Sequence, residues 1–163
     1  MRILPILLVL LAGTFVSAQQ PSEPLYDPDA NALEQIHRAV QTASLENKHV
    51  LVQIGGNWCP WCIKLHNFIE ANPSLDSLIK ADYILVHINY SKENKNPGVM
   101  TMLEYPQRFG FPVLVILDGN GKRLNTQNTA YLEDGDSYNK EKLKEFLLNW
   151  SPAAVDPKTY ENQ

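Results

Sequence analysis

Trp58-Cys59-Pro60-Trp61-Cys62 places two cysteines three positions apart, between an apolar run at 50–54 and a segment with helical periodicity at 63–71. Such a pair at a strand-to-helix junction is typical of a redox centre when the surrounding chain alternates between strands and helices. The chain has no other cysteine. A disulfide within the motif closes too small a loop to constrain the unfolded chain, so a structural cross-link is a poor explanation.

A helix that begins at the motif would make the two thiols unequal. With Cys59 as the N-cap and Pro60 in the first turn, the free backbone N–H groups and the positive end of the helix would stabilise a thiolate at Cys59. Cys62 would lie on the same helical face, one turn deeper. We therefore expect Cys59 to attack a substrate disulfide and Cys62 to resolve the mixed disulfide. The Cys59–Cys62 disulfide is then the redox group, and we expect no other cofactor.

The first eighteen residues have the pattern of a signal peptide: Arg2, an apolar run at 3–11 and small residues at 16–18. The run is shorter than the ~20 residues of a membrane span. We expect cleavage after Ala18, export to the periplasm or beyond, and no stable membrane insertion after processing. The alternative is that this segment is retained as a membrane anchor. The chain has 14 basic and 18 acidic residues. This acidic balance argues against nucleic acid or an anionic membrane as a partner.

The rest of the chain reads as alternating helices and strands around one mixed sheet, which indicates an α/β sandwich. We expect a leader over 19–28, a domain over 29–152 and a tail over 153–163. Asp29 and Ser74 are the predicted caps of two helices. The predicted helices cover 29–48, 63–71, 75–80, 99–109 and 140–150, and the predicted strands cover 49–54, 83–89, 113–117 and 122–126.

From about residue 33 to 150 the chain resembles the thioredoxin superfamily, especially its exported bacterial members. Besides the motif, the resemblance rests on the strands at 50–54 and 83–89 and on segment 110–121, Gly-Phe-Pro-Val-Leu-Val-Ile-Leu-Asp-Gly-Asn-Gly. It implies a three-layer sandwich whose central mixed sheet has about four to five strands flanked by helices. It also implies a cis-proline at Pro112 facing the thiols, and pairing of the Phe111 backbone with an extended substrate segment.

Departures from the family pattern leave the proton chemistry open. Gln53 stands where thioredoxin has a buried aspartate, and His87 stands where it has a lysine on the neighbouring strand. Since a glutamine side chain does not titrate, any proton relay must differ. His66, four residues after Cys62, and His87 are candidates for this relay. Alternatively, His66 only lies at the edge of a packed helix face.

Aromatic residues and prolines near the thiols are the candidate substrate-binding residues. Exposed tryptophans tend to be recognition anchors, although Trp61 also fits a simple packing role. The connection at 128–139, with Tyr131 and Tyr138, either covers part of the active-site surface or is a solvated loop. The candidate substrate-binding residues are Trp58, Pro60, Trp61, Phe111 and Pro112.

These observations predict a thiol-disulfide oxidoreductase that acts on protein thiols and disulfides outside the cytoplasm. We expect a reductase rather than an oxidase, supplied with electrons by a membrane protein, although the Pro-Trp dipeptide does not decide the direction. One alternative is a non-catalytic binding module of the same fold. Another is a copper or zinc carrier using both cysteines and a histidine. Structural zinc sites use four ligands, and the chain offers only two sulfurs, so we expect no metal site.

Overall fold

The central layer is a four-stranded mixed sheet, as predicted. The computed structural model describes residues 24–161, and the predicted signal peptide with the start of the leader, 1–23, lies outside these residues. Among the described residues the strand order is β2-β1-β3-β4, with β1 parallel to β2 and antiparallel to β3, and β3 antiparallel to β4. The strands are β1 (His49–Gly55), β2 (Tyr83–Asn89), β3 (Val113–Leu117) and β4 (Arg123–Asn128).

Helices cover both faces of this sheet. The helices of the described residues are α1 (Ala32–Glu46), α2 (Pro60–Glu70), α3 (Pro73–Asp82), α4 (Pro97–Met102), α5 (Lys140–Asn149) and α6 (Pro152–Val155). Every residue of β1 is buried, because helices lie on both of its sides. Val50, Val52 and Ile54 pack with α1 and α4, whereas Leu51 packs with α2, α3 and α5. The three-layer sandwich predicted from the sequence is therefore confirmed.

Two helix starts differ from the predicted ones. Asn31, not Asp29, caps α1, because the Asn31 side chain accepts a hydrogen bond from the Glu34 N–H at 3.2 Å. The Asp29 N–H instead donates to the Asp27 carboxylate in the preceding turn. Helix α3 begins at Pro73 rather than after Ser74, since proline is well suited to a first helical position.

The helix predicted over 99–109 is two separate pieces. Helix α4 ends at Met102, and a short 3-10 helix follows at Pro106–Phe109. Between them Glu104 and Tyr105 have φ angles of 59° and 60°, in the left-handed region that an α-helix cannot include. The break brings the chain into the segment that leads to Phe111.

Past β4 the chain is more structured than predicted. The connection at 128–139 contains a short 3-10 helix and a small hairpin of β5 (Glu133–Asp134) and β6 (Ser137–Tyr138). Helix α5 follows, capped by Asn139, whose side chain accepts from the N–H groups of Glu141 and Lys142. Helix α6 and a 3-10 helix at Pro157–Thr159 continue into the predicted tail.

The described part of the predicted leader packs against the domain. Tyr26 is fully buried and lies in one cluster with Cys59 and Cys62. Asn94 Nδ2 donates to the Pro28 carbonyl at 3.0 Å and holds the end of this segment. No helix within residues 24–161 combines the length and the apolar character that crossing a bilayer requires.

The cap of α1 gives a direct test of the corrected boundary. We predict that Asn31→Ala lowers the free energy of unfolding by about 1 kcal/mol, because the Glu34 N–H loses its partner. The matched control Asp29→Ala removes an exposed carboxylate that caps no helix, and we expect a change within about 0.5 kcal/mol. Urea unfolding measures both, and equal losses would contradict this assignment.

Candidate active site

Cys59 is the N-cap of α2, as predicted. It has extended backbone angles, φ −99° and ψ 106°, and its Sγ accepts a hydrogen bond from the Cys62 N–H at 3.2 Å. Pro60 is the first helical residue, where the absence of an N–H costs no hydrogen bond. The two cysteines form a disulfide with their Cα atoms 5.3 Å apart. The Cys59 sulfur is thus directed at the positive end of a helix.

The two sulfurs differ in depth. Cys59 is 4 % exposed and lies between the exposed residues Trp58 and Pro60, whereas Cys62 is 0 % exposed. A reagent that approaches from solvent therefore meets Cys59 first. When the disulfide is reduced, the N–H donor and the helix end can stabilise negative charge on the Cys59 sulfur. The geometry suits Cys59 as the attacking thiol and Cys62 as the buried partner.

An aromatic platform lies beside Cys59. Trp58 is 56 % exposed, and its Nε1–H donates to the Tyr90 carbonyl at 2.7 Å. The Phe111 ring meets the Trp58 ring edge-on, with their centres 5.5 Å apart. The centres of the Phe111 and Tyr90 rings are 4.8 Å apart. A groove of about 550 Å³ adjoins this platform, lined by Trp58, Tyr90, Ser91, Lys92, Glu93 and Lys95.

The Phe111–Pro112 peptide bond is cis, as the resemblance implies. Phe111 packs against the Tyr26–Cys59–Cys62 cluster. The Pro112 carbonyl accepts a buried hydrogen bond from the Thr129 hydroxyl at 2.6 Å. Within residues 24–161 the Phe111 N–H and C=O have no hydrogen-bond partner. They are free to pair with another extended chain.

Trp61 faces the protein more than Trp58 does. Its ring meets the Tyr138 ring edge-on at 5.4 Å, and its carbonyl accepts from the Tyr138 hydroxyl at 3.2 Å. The Lys64 ammonium lies 4.3 Å from the Trp61 ring centre. The connection at 128–139 therefore contacts the first turn of α2 through the buried Tyr138, while Tyr131 is 74 % exposed.

Tyr26 is the functional-site residue that sequence reasoning missed. Asn57, just before the motif, binds the Tyr26 backbone twice, accepting from its N–H at 3.1 Å and donating to its carbonyl at 2.6 Å. The Tyr26 hydroxyl accepts from Gln53 Nε2 at 2.6 Å. No periodic pattern marks this residue, because it lies in a proline-containing segment with few apolar residues. Its contacts span 27 and 31 positions of the chain.

The side chains of Gln53 and His87 both contact Tyr26, from neighbouring strands and in register. Gln53 Nε2 also donates to the Cys62 carbonyl at 3.2 Å. The His87 ring lies 5.6 Å from both the Tyr26 and the His66 rings. Burial, and then the charge of His66, lower the pKa of His87 to about 4. His66 is partly exposed, and its Nε2 lies 3.3 Å from the Glu70 carboxylate.

The part of the chain that the structure describes has no group of three or more histidine, cysteine or acidic side chains placed to bind one metal ion. The site therefore consists of one disulfide, an outer aromatic platform and an inner polar cluster of Tyr26, Gln53 and His87. Of the predicted site residues, Trp61 and Phe111 pack with the two cysteines, and the Trp58 ring meets the Phe111 ring. The His66 and His87 rings contact each other, and the His87 ring contacts Tyr26.

Residues 36–145 match a family model described as a thioredoxin-like domain. A disulfide bond reductase, DsbH, from Chlamydia pneumoniae is 25 % identical over 97 residues, which cover 56 % of this chain and 58 % of that protein. This chain thus spans little more than half the length of that relative. The crystal structure of a disulphide isomerase from Xylella fastidiosa Temecula1 superposes with a TM-score of 0.70. It is 22 % identical and the match covers 79 % of this chain and 98 % of that one, which confirms the fold.

The close approach of β1 to Cys62 predicts a strict need for glycine at position 55. A Cβ on Gly55 would collide with Cys62 Sγ and lie 3.0 Å from the Tyr26 hydroxyl. We expect Gly55→Ala to lower the free energy of unfolding of the oxidised protein by about 1–3 kcal/mol. The control Gly98→Ala adds a Cβ with no atom within 4 Å and should not destabilise the protein. Denaturant unfolding of both variants tests this, and equal stability would contradict it.

The low pKa of His87 predicts a loss of stability in mild acid. Between pH ~6.5 and ~4 the unfolded chain holds a proton on this histidine that the folded chain does not. The free energy of unfolding should therefore fall as the pH is lowered through this range, by up to about 3 kcal/mol. We expect His87→Leu to reduce this fall, and the exposed-histidine control His37→Leu to leave it unchanged. Urea unfolding at a series of pH values measures it, and parallel curves for wild type and His87→Leu would refute the assignment.

Proposed function

Because this chain belongs to the thioredoxin-like domain family, we propose that it is a thiol-disulfide oxidoreductase that exchanges disulfides with proteins through Cys59 and Cys62. The observation that carries the proposal is the capping geometry. The Cys59 sulfur accepts the Cys62 N–H at the start of α2, and this arrangement stabilises a thiolate. The pair is also joined as a disulfide, the oxidised state that the reaction requires.

The reaction proceeds in two displacements. The Cys59 thiolate attacks a substrate disulfide, a bond forms between Cys59 and one substrate sulfur, and the other substrate sulfur leaves as a thiolate. Cys62 then loses a proton, and its thiolate attacks the Cys59 sulfur. The Cys59–substrate bond breaks, and the second substrate thiolate leaves. The two leaving thiolates take up two protons, equal in number to the one lost by Cys62 and the one that Cys59 released to solvent when it ionised. The enzyme dithiol is thus oxidised and the substrate disulfide is reduced.

Substrate binding uses the outer side of the site. The Phe111 N–H donates to the backbone of an extended substrate segment, and the Phe111 C=O accepts from it, so that the segment pairs by strand addition. The exposed Trp58 and Pro60 provide an apolar surface beside Cys59, and the groove next to Trp58 receives a neighbouring substrate side chain. Trp61 supports this surface from within through its contact with Tyr138. Pro112 follows Phe111, and its carbonyl is held by the Thr129 hydroxyl.

The histidines provide an exit route for the Cys62 proton. The His87 ring contacts Tyr26 in the buried cluster, and it also contacts the His66 ring. His66 is partly exposed and so leads to solvent. With a pKa of about 4, His87 passes a proton on rather than holding it at neutral pH. The proton reaches solvent or the Glu70 carboxylate from His66.

The direction of transfer is reductive, and the location is outside the cytoplasm. The relative named a disulfide bond reductase supports the direction. The signal-peptide pattern at 1–18 supports the location. In an oxidising compartment the disulfide must be reduced again after each turnover, so the proposal includes a membrane protein that supplies electrons.

Single cysteine substitutions test the proposed function. We expect the reduced wild type to catalyse reduction of insulin disulfides and Cys59→Ser to fall to the uncatalysed rate, because the attacking thiolate is gone. Cys62→Ser should stop after one event with substrate joined to Cys59, which non-reducing electrophoresis and mass spectrometry detect. Wild type alkylated at both thiols is the control. An inactive wild type would favour the binding-module alternative, and turnover by Cys59→Ser equal to that of wild type would contradict the role of Cys59.

A further inference from the structure

We propose that the Tyr26 hydroxyl donates a hydrogen bond to the Cys62 sulfur once the disulfide opens, and so promotes the thiolate that resolves the mixed disulfide. This inference rests on the proposed function, because a resolving step exists only in that reaction. It adds a residue from outside the matched region, 36–145, that stabilises the Cys62 thiolate by a hydrogen bond and takes no proton itself.

The Tyr26 hydroxyl and the Cys62 sulfur both lie close to Gly55. A Cβ added to Gly55 would meet both Cys62 Sγ and the Tyr26 hydroxyl, the latter at 3.0 Å. Both residues are 0 % exposed. A thiolate formed at Cys62 therefore has no bulk water to solvate it, and a buried charge without a donor is strongly disfavoured.

The orientation of the hydroxyl follows from its partner. Gln53 Nε2 contacts both the Tyr26 oxygen and the Cys62 carbonyl oxygen. A carbonyl can only accept, so the Gln53 atom that faces it must be the amide nitrogen. The same nitrogen then donates to the Tyr26 oxygen, and the Tyr26 O–H hydrogen points elsewhere.

That hydrogen has no acceptor among residues 24–161 in the oxidised protein. Reduction creates one, because a disulfide sulfur is a weak acceptor whereas a thiolate accepts strongly. Burial raises the pKa of Tyr26. The phenol thus stays neutral and keeps its proton throughout the pH range in which thiols ionise.

Two contacts keep the tyrosine in place. Asn57 binds the Tyr26 backbone through both its amide oxygen and its amide nitrogen, at 3.1 and 2.6 Å. Because Asn57 lies two residues before Cys59, these hydrogen bonds fix Tyr26 relative to the motif. Gln53 fixes the hydroxyl end and the Cys62 carbonyl together, so Gln53 is a positioning residue.

In the resolving step Tyr26 keeps its proton and is unchanged. Cys62 loses one proton, and the resulting thiolate accepts the Tyr26 hydrogen bond. The thiolate attacks Cys59, the Cys59–substrate bond breaks, and the leaving substrate thiolate takes up one proton. The hydrogen bond raises the fraction of Cys62 present as thiolate at neutral pH.

Other titratable groups face the same cluster. On α2 they are Cys59 and His66, on β2 His87, and on β6 Tyr138. His87 is neutral above pH ~5 because its pKa is about 4. Burial raises the pKa of Tyr138, so it also stays neutral. His66 is the group that the experiment must separate from Tyr26.

The test measures the pKa of Cys62 directly, without any substrate. In reduced full-length Cys59→Ser protein with carbon-13 at cysteine Cβ, Cys62 is the only thiol, and NMR follows its ionisation. We expect Tyr26→Phe to raise the midpoint by about one pH unit, a roughly tenfold lower thiolate fraction at neutral pH. Repeating both titrations with His66→Gln removes the histidine contribution, and the shift should remain.

The matched control is Tyr83→Phe. Tyr83 is also a buried tyrosine whose hydroxyl makes one hydrogen bond, to the Leu147 carbonyl, but it lies in a different cluster. It should leave the Cys62 midpoint unchanged. A second variant, Gln53→Met, removes the positioning contact and should shift the midpoint in the same direction as Tyr26→Phe. No shift with Tyr26→Phe, or an equal shift with Tyr83→Phe, would overturn the proposal.

Kinetics separate this inference from the proposed function. With both cysteines present, Tyr26→Phe should slow insulin reduction about tenfold at neutral pH and approach the wild-type rate at high pH, where Cys62 is ionised in both. Formation of the mixed disulfide in Cys62→Ser should be unaffected by Tyr26→Phe. If wild type turns over normally and Tyr26→Phe has the same pH profile as wild type, the role of Tyr26 is contradicted and the proposed function is not. A wild type that forms no mixed disulfide contradicts the proposed function instead.

Discussion

The start of α2 must satisfy its free N–H groups, and the site depends on the fact that a sulfur does so. Cys59 Sγ accepts the Cys62 N–H where other helices in this chain use an asparagine, as at Asn31 and Asn139. A cap that accepts hydrogen bonds stabilises negative charge on itself. The hydrogen bond from the Cys62 N–H to Cys59 Sγ thus both caps the helix and, as we propose, activates the thiol. The buried strand β1, packed on both faces, fixes where that helix begins.

The two sulfurs meet different surroundings because the motif lies between the surface and the central sheet. Outside are an exposed tryptophan, the open Phe111 backbone and a groove, which suit contact with another protein. Inside are Tyr26, Gln53 and His87, which suit control of a buried charge. A single turn of helix separates these environments. The division of roles that we propose for Cys59 and Cys62 rests on this difference in solvent access.

The sequence predicted the elements whose signal is local. Strands β2 and β3 match the predicted bounds, because a mostly apolar run marks β2 and an uninterrupted apolar run marks the fully buried β3. The cap at Cys59 was predictable because the proline after it favours a first helical position. The break after Met102 was missed because it depends on left-handed backbone angles at Glu104 and Tyr105. Neither glutamate nor tyrosine favours such angles, so the sequence does not indicate them. Tyr26 was missed because its partners are distant in sequence and its segment has no period.

The central claim is that the start of α2 lowers the pKa of the Cys59 thiol. The most direct measurement is a pH titration of the rate at which Cys59 is alkylated in the reduced Cys62→Ser protein. Here Cys59 is the only thiol, and Pro60 still starts the helix. We expect a midpoint at least one pH unit below the ~8.5 of an ordinary cysteine. A midpoint at or above 8.5 would show that the helix start does not activate this sulfur, and would contradict the account.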